Sequence, residues 1–325
     1  MRLALAGDTM LGRGVAGRLA AAGPSSLFSA EVVARAREAD LLVLNLECCI
    51  STRGEPWPDP FKPFFFRAPP PQAVEALSLL GTSCVTLANN HALDYGEAAL
   101  LDTIAHLRGA GIAVAGAGAD LDEARRPVVL EAAGTRLAVL GVTDHPVAYA
   151  ATPRGPGVAF ADLGRGTPPW LHTAIAEADA DAVLLTPHWG PNMTRAPGRA
   201  LREAAERLLD EGVALIAGHS AHVFHGVAPA VLYDLGDFVD DYRVDPWLRN
   251  DLGLLFFVEL ERGLPVRLEA LPLALDYCHT RVARGEDAAW IARRFVAACR
   301  ALGTEAVREG ERLVVDLALV GARGG

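Results

Sequence analysis

Five apolar runs in this chain each end on side chains that can hold a proton or a cation. Leu3–Ala6 leads to Asp8, Leu41–Leu44 to Glu47, Val183–Thr186 to His188, and Val213–Ala217 to His219 and His222. The run ending at Leu87 leads into Asn89, Asn90, His91 and Asp94. Short apolar runs of this kind read as buried strands, and open α/β sheets gather ligands at the carboxyl ends of their strands. The repetition predicts one rim carrying carboxylate, carboxamide and imidazole groups: a metal site with an acid/base beside it.

Between these runs the pattern turns helical over about 28–38, 71–80, 96–109, 170–178 and 197–211, so strands and helices alternate. Residues 127–132 and 136–142 read as a hairpin turning at Gly134. A Pro- and Phe-rich stretch from Ser51 to Pro71 reads as a lid rather than a free loop, and the Gly/Pro-rich segment up to Pro169 as a second loop over the site. After residue 217 the pattern changes to antiparallel strands at 222–227, 230–235, 253–260 and 265–273, then a helix at 286–301 and a strand at 311–318. Alternating units followed by a β-rich tail predict an α/β fold with two stacked sheets flanked by helices. No linker or internal repeat divides the chain, which reads as a single domain over 1–325, with a motif core at 2–260 and a β/α extension at 261–325.

A net charge of −10 argues against nucleic acid as the main partner. Lys62 is the single lysine and every other basic side chain is arginine, which reads as composition bias. The five cysteines show no CxxC spacing, as expected of buried thiols in a reduced compartment. No stretch approaches the ~20 apolar residues of a membrane span, and no signal sequence is visible, since the first strand is expected to begin at Arg2 and the charged Asp8 interrupts it. The expectation is a cytoplasmic protein.

Six segments occur in an informative order: Gly7-Asp8 to Arg13, Asn45-Leu46-Glu47, Ala88-Asn89-Asn90-His91 with Asp94-Tyr95-Gly96, His188-Trp189-Gly190, Gly218-His219-Ser220-Ala221-His222, and Tyr233-Asp234 to Phe238. In this order they resemble the CapA family of poly-γ-glutamate capsule-synthesis proteins, a branch of the calcineurin-like metallophosphoesterase superfamily. The resemblance implies a four-layer α/β/β/α sandwich and a two-metal centre. By position it implies Asp8 on one metal, Glu47 bridging, Asn90 and His188 on the second metal, His222 on the first, and His91 as general acid. The mixed oxygen and nitrogen donors suit Mn, Fe or Zn, with manganese a natural candidate. Three departures stand out. Met10 replaces a histidine of the wider superfamily, so one of the two metals is expected to bind more weakly. Ser220 stands where the last motif has its first histidine, with His219 shifted by one. Asp237 and His225 replace asparagine and glutamine of many relatives.

Each residue also has a structural reading. Asn89-Asn90 can form a turn, Asp8 can cap a segment, and His188 can be a hydrogen-bonded core histidine. Because a one-residue shift on extended backbone reverses a side chain, either a local bend brings His219 to the metal or Ser220 and water fill in. Arg13 could fork an anionic substrate or make a surface ion pair. Asp144, His145 and Asp237 could touch substrate. The first functional reading is a metal-dependent hydrolase of phosphoester or related bonds, acting on a small or polymeric anionic substrate, with Asp8 and His91 in the chemistry. The alternatives are an acid/base enzyme (epimerase or isomerase) and a non-catalytic metal- or ligand-binding assembly protein.

Overall fold

Four short strands in the first third of the chain are nearly all apolar on both faces, as strands buried on both sides must be. In the computed structural model, which describes residues 1–318, Arg2–Thr9, Leu41–Leu46, Cys84–Thr86 and Ala113–Ala115 pair in parallel in that order. On the other side of Arg2–Thr9 lie the antiparallel strands Leu252–Glu261, Leu264–Asp276 and Arg312–Asp316, with Val307–Glu309 at the edge. A second sheet has the order Val227–Ala228, Val231–Leu232, Leu215–Ala217, Ala182–His188, Thr135–Thr143, Val128–Ala132. Its central strands are also parallel. The last seven residues of the expected 261–325 extension lie outside the described residues.

Alternation along the strands separates three cores. Leu3 and Leu5 pack with Leu137, Val139 and Leu184 between the two sheets. Ala4 and Ala6 face the other way, towards the helices Arg13–Ala22, Ala30–Ala36, Pro70–Leu80 and Gly96–Gly109. Ala138, Leu140 and Val142 face the helices Pro169–Ala176 and Arg199–Asp210. Three apolar interfaces between two sheets and two helical layers make the α/β/β/α sandwich. All five cysteines are buried, four of them in these cores. Burial pushes the Cys49 and Cys84 thiols up to about 12, so they stay protonated at neutral pH.

The structure corrects the expected strand at 222–227. Only Val227–Ala228 is extended there, and the backbone before it bends sharply, with φ of 111° at Ser220 and 58° at His222. It also adds a helix and a strand that lack a periodic signal, Arg13–Ala22 and Asp237–Val239. The added strand matters most. Arg2–Thr9 pairs with Leu252–Glu261 only as far as Leu5, and beyond that point Asp237–Val239 takes its place in parallel. This switch puts Asp8 opposite Asp237 on one side and Asn45 on the other. It requires glycine: a Cβ on Gly7 would lie 1.8 Å from the Gly236 carbonyl oxygen, and Gly236 itself has φ of 73°.

Candidate metal centre

Parallel strands of both sheets end at one rim, and the polar residues after each strand converge there. Within the second sheet a bridge pairs His188 with His219, and the Asp8 N–H, donating to the Gly236 carbonyl at 2.9 Å, ties the first sheet to the segment that leaves Val231–Leu232 of the second. Asp8, Glu47, His188, His219 and His222 are all buried, and a charge on any of them needs a partner or a cation close by.

Asp8 lies at the centre. Its Oδ1 accepts from the Asn45 amide at 2.8 Å and sits 3.0 Å from His219 Nδ1, while its Oδ2 is 3.4 Å from His222 Nδ1. The bends at Ser220 and His222 turn both histidines towards Asp8, and the Ser220 hydroxyl donates instead to the Gly190 carbonyl at 3.2 Å. Of the two geometries open from the sequence, the local bend is the one observed. His222 Nδ1 also lies 2.8 Å from Asp237 Oδ1.

Glu47 is the anomaly. Neither carboxylate oxygen has a hydrogen-bond partner, and the nearest imidazole nitrogens, on His91 and His188, are each 3.9 Å from Oε1. A buried carboxylate with nothing to accept from is costly unless it takes a proton or binds a cation. Asp8 Oδ2, Asp237 Oδ2 and Asn90 Oδ1 are likewise buried without hydrogen-bond donors. One donor atom each from Asp8, Glu47 and His222 lies within 4.8 Å of the others. The donor set fits a hard or borderline divalent cation.

The electrostatics agree. Burial pushes the Glu47 carboxyl well up, and the Asp8 charge adds to it. Burial also acts to raise Asp8, but His219, His222 and His188 more than offset it and hold Asp8 below the usual carboxylate range. Burial drives His188 well down, leaving a neutral imidazole, the form that binds metals. His222 goes the other way: burial lowers it, yet Glu47 and Asp8 outweigh that and raise it.

His91 stands at the edge of this group, facing a cleft of about 370 Å³ lined by Lys62, Phe64, Asn90, Met193, His222 and Arg243. Its Nδ1 is 2.7 Å from Asp94 Oδ2, and Phe66 packs edge-on at 4.5 Å between ring centroids. Burial holds its pKa down, with Asp94 pulling it back up. Asn89 braces the same turn, accepting from the His91 N–H at 3.0 Å and donating to Asn45 Oδ1 at 2.9 Å.

The expected substrate groups are spread more widely. Arg13 is held by Asp241, donating at 3.1 and 2.6 Å, and packs over Phe64 and Phe66, so its fork is already filled from within the chain. Asp144 accepts from the Gly190 N–H at 2.9 Å and pairs with His145, whose ring is 5.3 Å from that of His188. Asp237 joins the centre through His222. Residues that sequence reasoning passed over also shape the cleft: Lys62, Tyr242 and Arg243 among its walls, and Asp234, which braces the bend by accepting from the Ala221 and Gly236 N–H groups. Only the position of Asp234 within the last motif hinted at that part.

His225, beside the centre, is a separate matter. Burial and the nearby Arg294 push it down to about 4, while its Nε2 stays 2.9 Å from the Thr194 carbonyl. The unfolded chain therefore binds the extra proton between about pH 6.5 and 4, and stability falls as pH drops through that window. The loss amounts to about 3 kcal/mol at ~1.4 kcal/mol per pKa unit. His225→Gln is expected to flatten the pH dependence of urea unfolding between pH 7 and 4; an unchanged slope would show that His225 does not cause it.

Residues 2–242 match the family described as "Bacterial capsule synthesis protein PGA_cap". A Mycobacterium tuberculosis protein named "Probable polyglutamine synthesis accessory protein" is 31% identical over 306 residues, covering 85% of this chain and 76% of that one. The PGA biosynthesis protein CapA of Bacillus subtilis is 30% identical over 210 residues, covering 62% of this chain and 53% of that protein. Among solved structures, a hypothetical protein from Thermus thermophilus aligns with a TM-score of 0.50 at 16% identity, over 84% of this chain and 98% of that one. A 5′-nucleotidase from Candida albicans aligns with a TM-score of 0.44 at 12% identity, over 94% and 60%. No helix among the described residues is long and apolar enough to cross a membrane. With the family match spanning most of its length, the chain belongs to the bacterial capsule synthesis protein PGA_cap family.

Proposed function

We propose that this protein is a metal-dependent hydrolase of phosphoester or related bonds, acting on an anionic substrate. The observation that carries the reading is Glu47: a buried carboxylate with two unpartnered oxygens, set among Asp8 and the imidazoles of His91, His188 and His222. Asp8, Glu47, Asn90, His188, His219 and His222 would hold one or two divalent ions, with the weaker site on the side that Met10 leaves without an imidazole. Such ions supply Lewis-acid polarisation of an ester oxygen.

The chain's own groups do the rest. Asp94 holds the His91 ring through Nδ1, which leaves Nε2, 3.9 Å from Glu47 Oε1, without a hydrogen bond and able to carry a proton to a departing oxygen. Asn45 and Asn89 tie the Asp8, Glu47 and His91 segments together and so fix their separation. The family's description as a capsule synthesis protein, and the relatives' names with their polyglutamine and PGA synthesis, suggest a capsule-like polymer as the setting. An epimerase reading gains nothing from Asp8, since a carboxylate held below the usual range accepts protons poorly.

The test is hydrolysis of 4-nitrophenyl phosphate by the purified protein with and without Mn²⁺. We expect turnover that requires the ion, is lost on chelation and falls by at least about a hundredfold in Asp8→Asn, the scale on which a misplaced catalytic ion costs rate. A protein that binds no divalent ion by elemental analysis would overturn the hydrolase. Deuterium uptake from solvent into a substrate without cleavage would favour the acid/base alternative instead.

A further inference from the structure

Lys62 is the chain's single lysine, in a protein whose other basic side chains are all arginine. It comes from the loop between Ser51 and Pro69 and points inward, its side chain only 13% exposed. Its ammonium lies 3.0 Å from Asp94 Oδ1 and donates to the Asn90 carbonyl at 2.7 Å, between the rings of Tyr149 and Phe65. The other Asp94 oxygen receives the Phe66 N–H at 2.6 Å and faces His91 Nδ1 at 2.7 Å. The same loop grips the turn again where the Trp57 N–H donates to the Asp94 carbonyl at 2.8 Å.

Asp94 is fully buried, and Lys62 is the cation beside its Oδ1; without it, only the Oδ2 contacts to the Phe66 N–H and His91 would hold the carboxylate in place. A compact ammonium can sit under one carboxylate oxygen and reach a carbonyl at the same time. A planar guanidinium, with its fixed fork, fits that space less well. We propose that Lys62 is a positioning residue: it clamps Asp94 and the Asn90 backbone, and through them fixes the His91 imidazole against the metal-ligand turn. The inference rests on the hydrolase reading for its consequence in catalysis. The loop is then part of the machinery, because Lys62, Phe66 and Trp57 reach the site only when it lies closed over the turn.

The experiment compares Lys62→Met, Lys62→Arg and Lys62→Ala with the wild type, using 4-nitrophenyl phosphate and Mn²⁺. Expected are a drop in kcat of about 10–100-fold, the range for losing a group that orients a ligand or acid, with KM within about twofold and bound manganese unchanged. Propylammonium added to Lys62→Ala should restore part of kcat. An unchanged kcat in Lys62→Met, or a drop that merely follows lost manganese or lost folded protein, would overturn the proposal. If Lys62→Met does not fold, Lys62→Arg carries the same comparison with the charge retained. A readout independent of turnover is nitrogen-15 NMR of the histidines. The His91 Nδ1–H signal should be protected from exchange in the wild type and broadened in Lys62→Met, while the His225 signals stay put. A His91 signal indifferent to Lys62 sinks the inference even if the enzyme is active. A wild type without turnover but with the NMR change leaves the clamp standing and removes the hydrolase.

Discussion

His91→Ala is expected to lower kcat by about 10²–10⁴-fold on an alkyl phosphate while leaving KM and bound metal nearly unchanged, the usual scale for losing a positioned proton donor. The same substitution should cost far less on 2,4-dinitrophenyl phosphate, whose leaving group departs without a proton. This dependence on leaving group separates a proton donor from a ligand or a packing residue. The geometry supports it: Nδ1 is engaged by Asp94, Phe66 fixes the ring plane, and the Glu47 carboxylate lies 3.9 Å from Nε2, too far for a hydrogen bond that would occupy it. Burial lowers the His91 pKa, and Asp94 opposes that in part. Equal losses on good and poor leaving groups would assign His91 to the metal or to the fold instead.

The residues at the strand ends were legible because strand length and polarity are local properties. Asp8, Glu47 and His188 follow apolar runs, and the parallel pairing of those runs then carries their ends to one rim. The two-residue offset between Asn45 and Glu47 was also legible, although the role of Asn45 is to donate to Asp8. Two things were hidden. The first is the strand Asp237–Val239, too short for a periodic signal, which replaces Leu252–Glu261 beside Asp8 and brings Asp237 to His222. The second is pairing between distant charges. Arg13 looks free in the sequence, but Asp241 comes back to fill its guanidinium fork from 228 residues away. Lys62 looked like a trace of composition, and its partners Asn90 and Asp94 lie on another segment. Such contacts depend on the fold as a whole, so no window of sequence contains them. The positive φ values at Ser220 and His222 were likewise invisible, since neither residue type requires a left-handed bend.

Glu47→Gln is expected to reverse its effect on stability with the presence of metal. In chelator at pH 7–8 the variant should be more stable than the wild type, because the carboxamide has neither a charge to bury nor a proton to take up on folding. The folded chain binds the Glu47 proton more tightly than the unfolded one, because burial and then the Asp8 charge raise its pKa well above 4.5. Stability therefore falls as pH rises from 4.5 through that higher value, and the advantage of glutamine should vanish below about pH 4.5. Added Mn²⁺ turns the comparison round. An ion that binds only the folded chain stabilises it by about 2.7 kcal/mol at a hundred times its Kd, and the carboxamide, which lacks the charge, should gain much less. Urea midpoints measured in EDTA and in Mn²⁺ at pH 4.5 and 7.5 contain the whole prediction. If Mn²⁺ raises both proteins equally, Glu47 is no ligand. If the variant is the weaker one in EDTA at pH 7.5, the wild-type carboxylate already has a partner, and the argument that a cation belongs there loses its footing.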